Sequence, residues 1–117
     1  MTQQKKFAIP GDKIVRLVPD QGYCFATDRI TVDGCRVGYM YREEPDEEMD
    51  SGWRFFAGDE SQEYVDDGKN VDLYSVNTIV NYDPEIIPFL NAPIGAAYER
   101  DEEDGRFRNA EMPEPLD

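Results

Sequence analysis

The sequence predicts a small α+β domain, with a mainly antiparallel sheet and one or two short helices packed on one face. Three observations carry that prediction. The stretch Asp50-Ser51-Gly52-Trp53-Arg54-Phe55-Phe56-Ala57-Gly58 sets the only tryptophan and two of the six phenylalanines between glycines, as a short central strand would. Apolar and aromatic residues alternate from Cys35 to Arg42, with Val37, Tyr39 and Tyr41 on one parity and Gly38, Met40 and Arg42 on the other. Val76, Ile79 and Val80 then recur at helical spacing behind Ser75, a residue suited to an N-cap.

Taken in order, residues 1–20 fit either a short helix or a buried strand through Ile14, Val15, Leu17 and Val18, bounded by Pro10 and Pro19. Tyr23-Cys24-Phe25-Ala26 reads as a strand. Asp28 to Gly34 is turn-rich, with Asp33-Gly34 placed as a tight hairpin turn before a second strand, Cys35 to Arg42. That register sets Cys24 several residues from Cys35, so both thiols are expected to stay reduced. The run 43–51 is a charged loop leading to an antiparallel strand at 53–57; so many carboxylates predict an exposed, mobile segment. Asp59 is placed as the cap of a short helix to Val65, and Asp67-Gly68-Lys69-Asn70 as a turn. A helix is predicted over 75–82. Asp83-Pro84 restarts a helical turn that Pro88 limits, with Ile86, Phe89 and Leu90 inward. A last strand is expected over 93–98. One domain spans 1–117, with its core at 21–108 and an acidic, flexible tail at 109–117.

Charge is the other dominant feature. Twelve Lys and Arg stand against 26 Asp and Glu, a formal net of −14. It is uneven: residues 1–42 hold seven bases and four acids, residues 43–117 five bases and 22 acids. Such a surface disfavours nucleic acid and anionic lipid and draws basic partners. No apolar run is long enough for a signal peptide or a membrane span, so a cytoplasmic location is expected.

Asp28-Arg29-Ile30-Thr31-Val32-Asp33-Gly34, Val37-Gly38-Tyr39-Met40-Tyr41-Arg42-Glu43, Asp50-Ser51-Gly52-Trp53-Arg54-Phe55-Phe56, Gly58-Asp59-Glu60, Tyr64, Asn77-Thr78 and Asn81-Tyr82-Asp83-Pro84 together resemble a bacterial family. It was first grouped as a domain of unknown function, and later as immunity protein thirty-three of the polymorphic toxin systems. The resemblance covers roughly residues 22–100. It implies a protein that protects a bacterium by binding a toxin, and it brings no catalytic residues.

The candidate contact residues are Glu43, Glu44, Asp46, Glu47, Glu48 and Asp50, with Trp53 as an apolar anchor. Acids laid over the lysines and arginines of a basic toxin would imitate a phosphate chain. The alternative for the acids is a solvated loop. For Trp53, Phe55 and Phe56 it is core packing, the stronger reading for strand aromatics. Arg42 and Arg54 are placed on the outer face, in surface ion pairs. Calcium is disfavoured because the acids lack the spacing of an EF-hand loop. The chain has no histidine, no phosphate loop and no nucleophile elbow, so a non-catalytic protein without cofactor is expected. The rival reading is a scaffold or regulatory module acting through homo-oligomerisation. A small-molecule enzyme would need a deep pocket lined by Trp53, Tyr39 or Tyr41.

Overall fold

In the computed structural model, which describes residues 5–113, six strands form one open sheet. In chain order the strands are β1 (Tyr23–Thr27), β2 (Tyr39–Arg42), β3 (Asp50–Phe56), β4 (Val71–Ser75), β5 (Ala97–Arg100) and β6 (Phe107–Asn109). Three short helices, α1 (Asp28–Thr31), α2 (Gln62–Asp66) and α3 (Val76–Tyr82), connect them, and a 3-10 segment runs from Pro84 to Phe89. The spatial order is β4-β1-β3-β2-β5-β6. All neighbours are antiparallel except β1 and β3.

The glycine-bracketed aromatic run is the interior strand, β3. Alternation sends Trp53 and Phe55 to the inner face, where both are fully buried. They meet Met40, Ala26 and Cys24 from the sheet, and Ile30, Val76, Ile79, Val80, Ile86 and Leu90 from the elements that cover it. The Trp53 indole donates to the Leu90 carbonyl at 3.2 Å, which removes the cost of burying that N–H. Ser75 caps α3 as expected, accepting from the Thr78 N–H. Asp83 caps the following segment by accepting from the Glu85 N–H. Pro88 lies inside that segment rather than ending it.

Several expectations are corrected. The Asp33-Gly34 hairpin does not form. Residues 28–31 make α1, and Gly34, at φ +79°, closes the turn after it by donating to the Ile30 carbonyl at 3.1 Å. Glycine is serving here as a left-handed helix terminator, a role the same dipeptide fills as readily as a hairpin turn. Strand β2 therefore begins at Tyr39, and Val37 is buried in the core rather than sharing a face with Tyr39 and Tyr41. Asp59 does not cap α2. It pairs with Arg29, and Ser61 takes the cap by accepting from the Tyr64 N–H. Strand β4 was not foreseen, because Val71-Asp72-Leu73-Tyr74-Ser75 borders only β1 and keeps a half-polar pattern. The last strand of the predicted set lies at 97–100, and β6 follows it.

The first segment is neither helix nor strand over Ile14–Val18. Asn77 and Asn81 on α3 hold it: the Leu17 and Val18 N–H groups donate to Asn77 Oδ1, and the Val15 N–H donates to Asn81 Oδ1. Two side-chain amides thus do the work of a neighbouring strand. At the other end, the Ala110 N–H donates to Ala97 and Tyr39 donates to the Glu111 carbonyl. Hydrogen bonds to the sheet thus extend as far as Glu111, and residues 114–117 of the expected flexible tail lie outside the described range.

Candidate functional site

The helices and the 84–89 segment leave one face of the sheet open. On it stand Leu73 of β4, Tyr23 and Phe25 of β1, Arg54 and Phe56 of β3, Tyr39 and Tyr41 of β2, and Glu99 of β5, as the strand registers require. Leu73 is 53% exposed and the five rings are half-buried.

Arg54 is the exception on this face. Expected in a surface ion pair, it is only 3% exposed and lies under the Phe25 ring at 4.6 Å. Its Nη1 and Nη2 donate to the two Asp50 carboxylate oxygens at 2.9 and 2.8 Å, and its Nε donates to Glu43 at 2.6 Å. Asp50 also accepts from the backbone N–H groups of Asp46 and Gly52. These four donors, two of them on the Arg54 guanidinium, hold its carboxyl far below the usual carboxylate range, the hydrogen bonds from Arg54 being the main cause. A planar fork facing a carboxylate is the geometry arginine supplies and lysine does not.

This buried pair organises the acidic loop. Glu43 is half-buried against Arg54, and Asp46 sits 4.0 Å from its Nη2. Glu44, Glu47 and Glu48 are exposed. The loop is therefore pinned at both ends, not loose as its charge suggested. At Gly52, φ is +87° and a Cβ would lie 2.4 Å from the Glu43 carbonyl oxygen, so only glycine lets the two arms of this hairpin close. The Tyr23 hydroxyl nearby is pushed up by burial, then by the charges of Glu47, Asp50 and Asp46.

Of the candidate contact residues, Glu43, Glu44, Asp46, Glu47 and Glu48 come together on one loop with surface to offer. Asp50 and Trp53 do not: Asp50 is 5% exposed and committed to Arg54, and Trp53 is fully buried on the opposite face. Trp53 faces the opposite side of the sheet from Tyr39 and Tyr41, so the three do not line one pocket among the described residues.

Sequence reasoning did not single out a trough of about 1640 Å³ running along β2. Its floor is Tyr39, Tyr41 and Phe56, with ring centroids 5.7 to 5.9 Å apart and Tyr41 and Phe56 stacked. Gln62 and Val65 of α2 border one side, and residues 99–103 and Met112 the other. Two of its lining residues are held from behind by the Asn-Tyr-Asp-Pro stretch: buried Asp83 accepts from the Val37 N–H and the Arg100 guanidinium. Tyr82 meanwhile donates to the Thr31 carbonyl. The trough's signal was present in the parity of Tyr39, Tyr41 and Phe56, which is opposite to that of the core residues. Among the described residues, no three Asp, Glu or Cys side chains are grouped to hold a metal ion.

The chain belongs to the family described as the Immunity protein Imm33 domain, which it matches over residues 24–111. No curated protein and no solved structure gives a significant match.

Proposed function

We propose that this immunity-protein domain acts in the cytoplasm by binding and occluding a basic toxin, without chemistry of its own. The observation that carries this is the acidic hairpin: Glu44, Asp46, Glu47 and Glu48 project from a loop that Arg54 and Asp50 hold in one shape. A preformed rank of carboxylates raises the on-rate for a cationic partner and loses little entropy when it docks. The same charge repels nucleic acid and anionic membrane. Free thiols at Cys24 and Cys35 fit a reducing compartment.

The test is co-expression with a candidate cognate toxin, one against which the wild-type protein protects. Glu44→Gln, Asp46→Asn, Glu47→Gln and Glu48→Gln combined should weaken protection, and the salt dependence of the measured affinity should flatten. Full protection by that variant would remove the loop from the contact.

A further inference from the structure

We propose that the trough along β2 seats an arginine- or lysine-bearing segment of the partner protein, its cationic side chains lying on the Tyr39, Tyr41 and Phe56 rings between Glu43 and Glu99. This rests on the toxin-binding reading for the partner's identity, but the trough's chemistry stands on its own observations.

The first is an imbalance of charge. Seven carboxylates line the trough (Glu43, Asp59, Glu60, Glu99, Asp101, Glu102, Glu103), against two guanidiniums, Arg36 and Arg100. Both guanidiniums are already engaged, Arg36 with Glu85 and Arg100 with Asp83 and Glu85, while of the carboxylates Glu43, Asp59 and Asp101 are paired with Arg54, Arg29 and Arg108. Among the described residues Glu99, Glu102 and Glu103 have no cation within 4.0 Å.

The second is an imbalance of rings. Elsewhere in the molecule guanidiniums sit on aromatic faces: Arg54 on Phe25, Arg42 on Trp53 and Arg100 on Phe107. The three trough rings carry no such cation among the described residues, and they sit beside Glu99, which has no cation partner there, and Glu43, which shares Arg54 with Asp50. A cation placed there gains from ring and carboxylate together. The electrostatics agree: burial and then Glu43 push the Tyr41 hydroxyl up to about 12, and burial and then Glu99 raise that of Tyr39.

The third is size. A volume of about 1640 Å³ exceeds the roughly 300–1,000 Å³ of small-molecule sites and suits a stretch of polypeptide.

The isotope-labelled protein is titrated with acetyl-Gly-Arg-Gly-Arg-Gly-Arg-amide while backbone amide shifts are followed by NMR. The control is the same peptide with citrulline, the neutral isostere, in place of arginine. Saturable shifts at Tyr39, Tyr41, Phe56 and Glu99 with the arginine peptide alone are expected. Tyr41→Leu with Glu99→Gln should weaken that binding about tenfold, and Tyr41→Phe should retain it. Thermal melts of these exposed-face variants exclude misfolding. Equal binding of the citrulline peptide, shifts confined to residues 44–48, or no saturation would overturn the proposal. The same trough variants are then scored for protection against the toxin. Wild-type protection that survives them keeps toxin neutralisation and removes the trough as the partner's seat. Trough binding without any wild-type protection keeps the trough and removes the toxin reading.

Discussion

Replacing Arg54 with methionine tests whether the acidic hairpin is pinned by a buried ion pair. Arg54 and Asp50 are 3% and 5% exposed and share two hydrogen bonds of 2.9 and 2.8 Å. Arg54→Met keeps the volume but strands a buried carboxylate, for which roughly 3–5 kcal/mol of stability is lost. Unfolding entropy of about 2.1 cal/mol/K per residue over 117 residues converts that loss to a fall in Tm of ~12–20 °C. Circular dichroism melts and urea titrations at neutral pH measure it. Arg54→Met with Asp50→Leu, which removes both charges, should recover at least half of the loss. Protonation supplies an independent check. The Asp50 carboxyl is depressed in the fold, so it contributes stability at pH above its unfolded value of about 4 and loses it as pH falls further. The wild type should therefore weaken steeply below about pH 4, and Arg54→Met should show a shallower slope. A loss under about 1 kcal/mol for Arg54→Met would place the pair in the surface class and refute the reasoning.

Other outcomes follow from the same geometry. Gly52→Ala forces an L-residue to φ +87° with its Cβ against the Glu43 carbonyl, and should lose about 1–3 kcal/mol in urea unfolding while broadening the amide signals of residues 43–50. Ser75→Ala removes the cap of α3 and should lose about 1 kcal/mol in the same assay, with Ser75→Asp restoring it. In an ultraviolet titration of tyrosine ionisation, Tyr41 should titrate near 12, and Glu43→Gln should lower that value. Because the folded value is the raised one, this tyrosine contributes stability below its unfolded value of about 10, and that contribution disappears as pH rises towards 12.

Much of the architecture was written in local patterns. The breakers around Trp53, the spacing of Val76, Ile79 and Val80, and the Ser75 and Asp83 caps each act within a few residues, and each forms as read. Pairing over longer distances was not legible. Nothing near Tyr23 announces that β1 runs parallel to β3 instead of forming a hairpin with β2. Arg54 looked like a surface residue because alternation puts it on the outward parity; its burial comes from Phe25 and Glu43, brought in from other segments. The acidic cluster was visible as composition, yet its division into three free glutamates and a buried aspartate depends on the Arg54 fork. The trough needed the registers of β2, β3 and β5 before its residues could be seen as neighbours.

The interior position of β3 also constrains how the chain can assemble. Its two flanking strands are made differently: β2 is the adjoining arm of a hairpin, whereas β1 precedes it by more than twenty residues and pairs in the parallel sense. Hairpin closure across 43–49 is the shorter search, and capture of β1 encloses a wider loop and must come at greater entropic expense. The polypeptide is thus expected to nucleate around the Trp53 hairpin and recruit its own beginning afterwards, with the β1–β3 seam the slow step and the last to gain protection from hydrogen exchange.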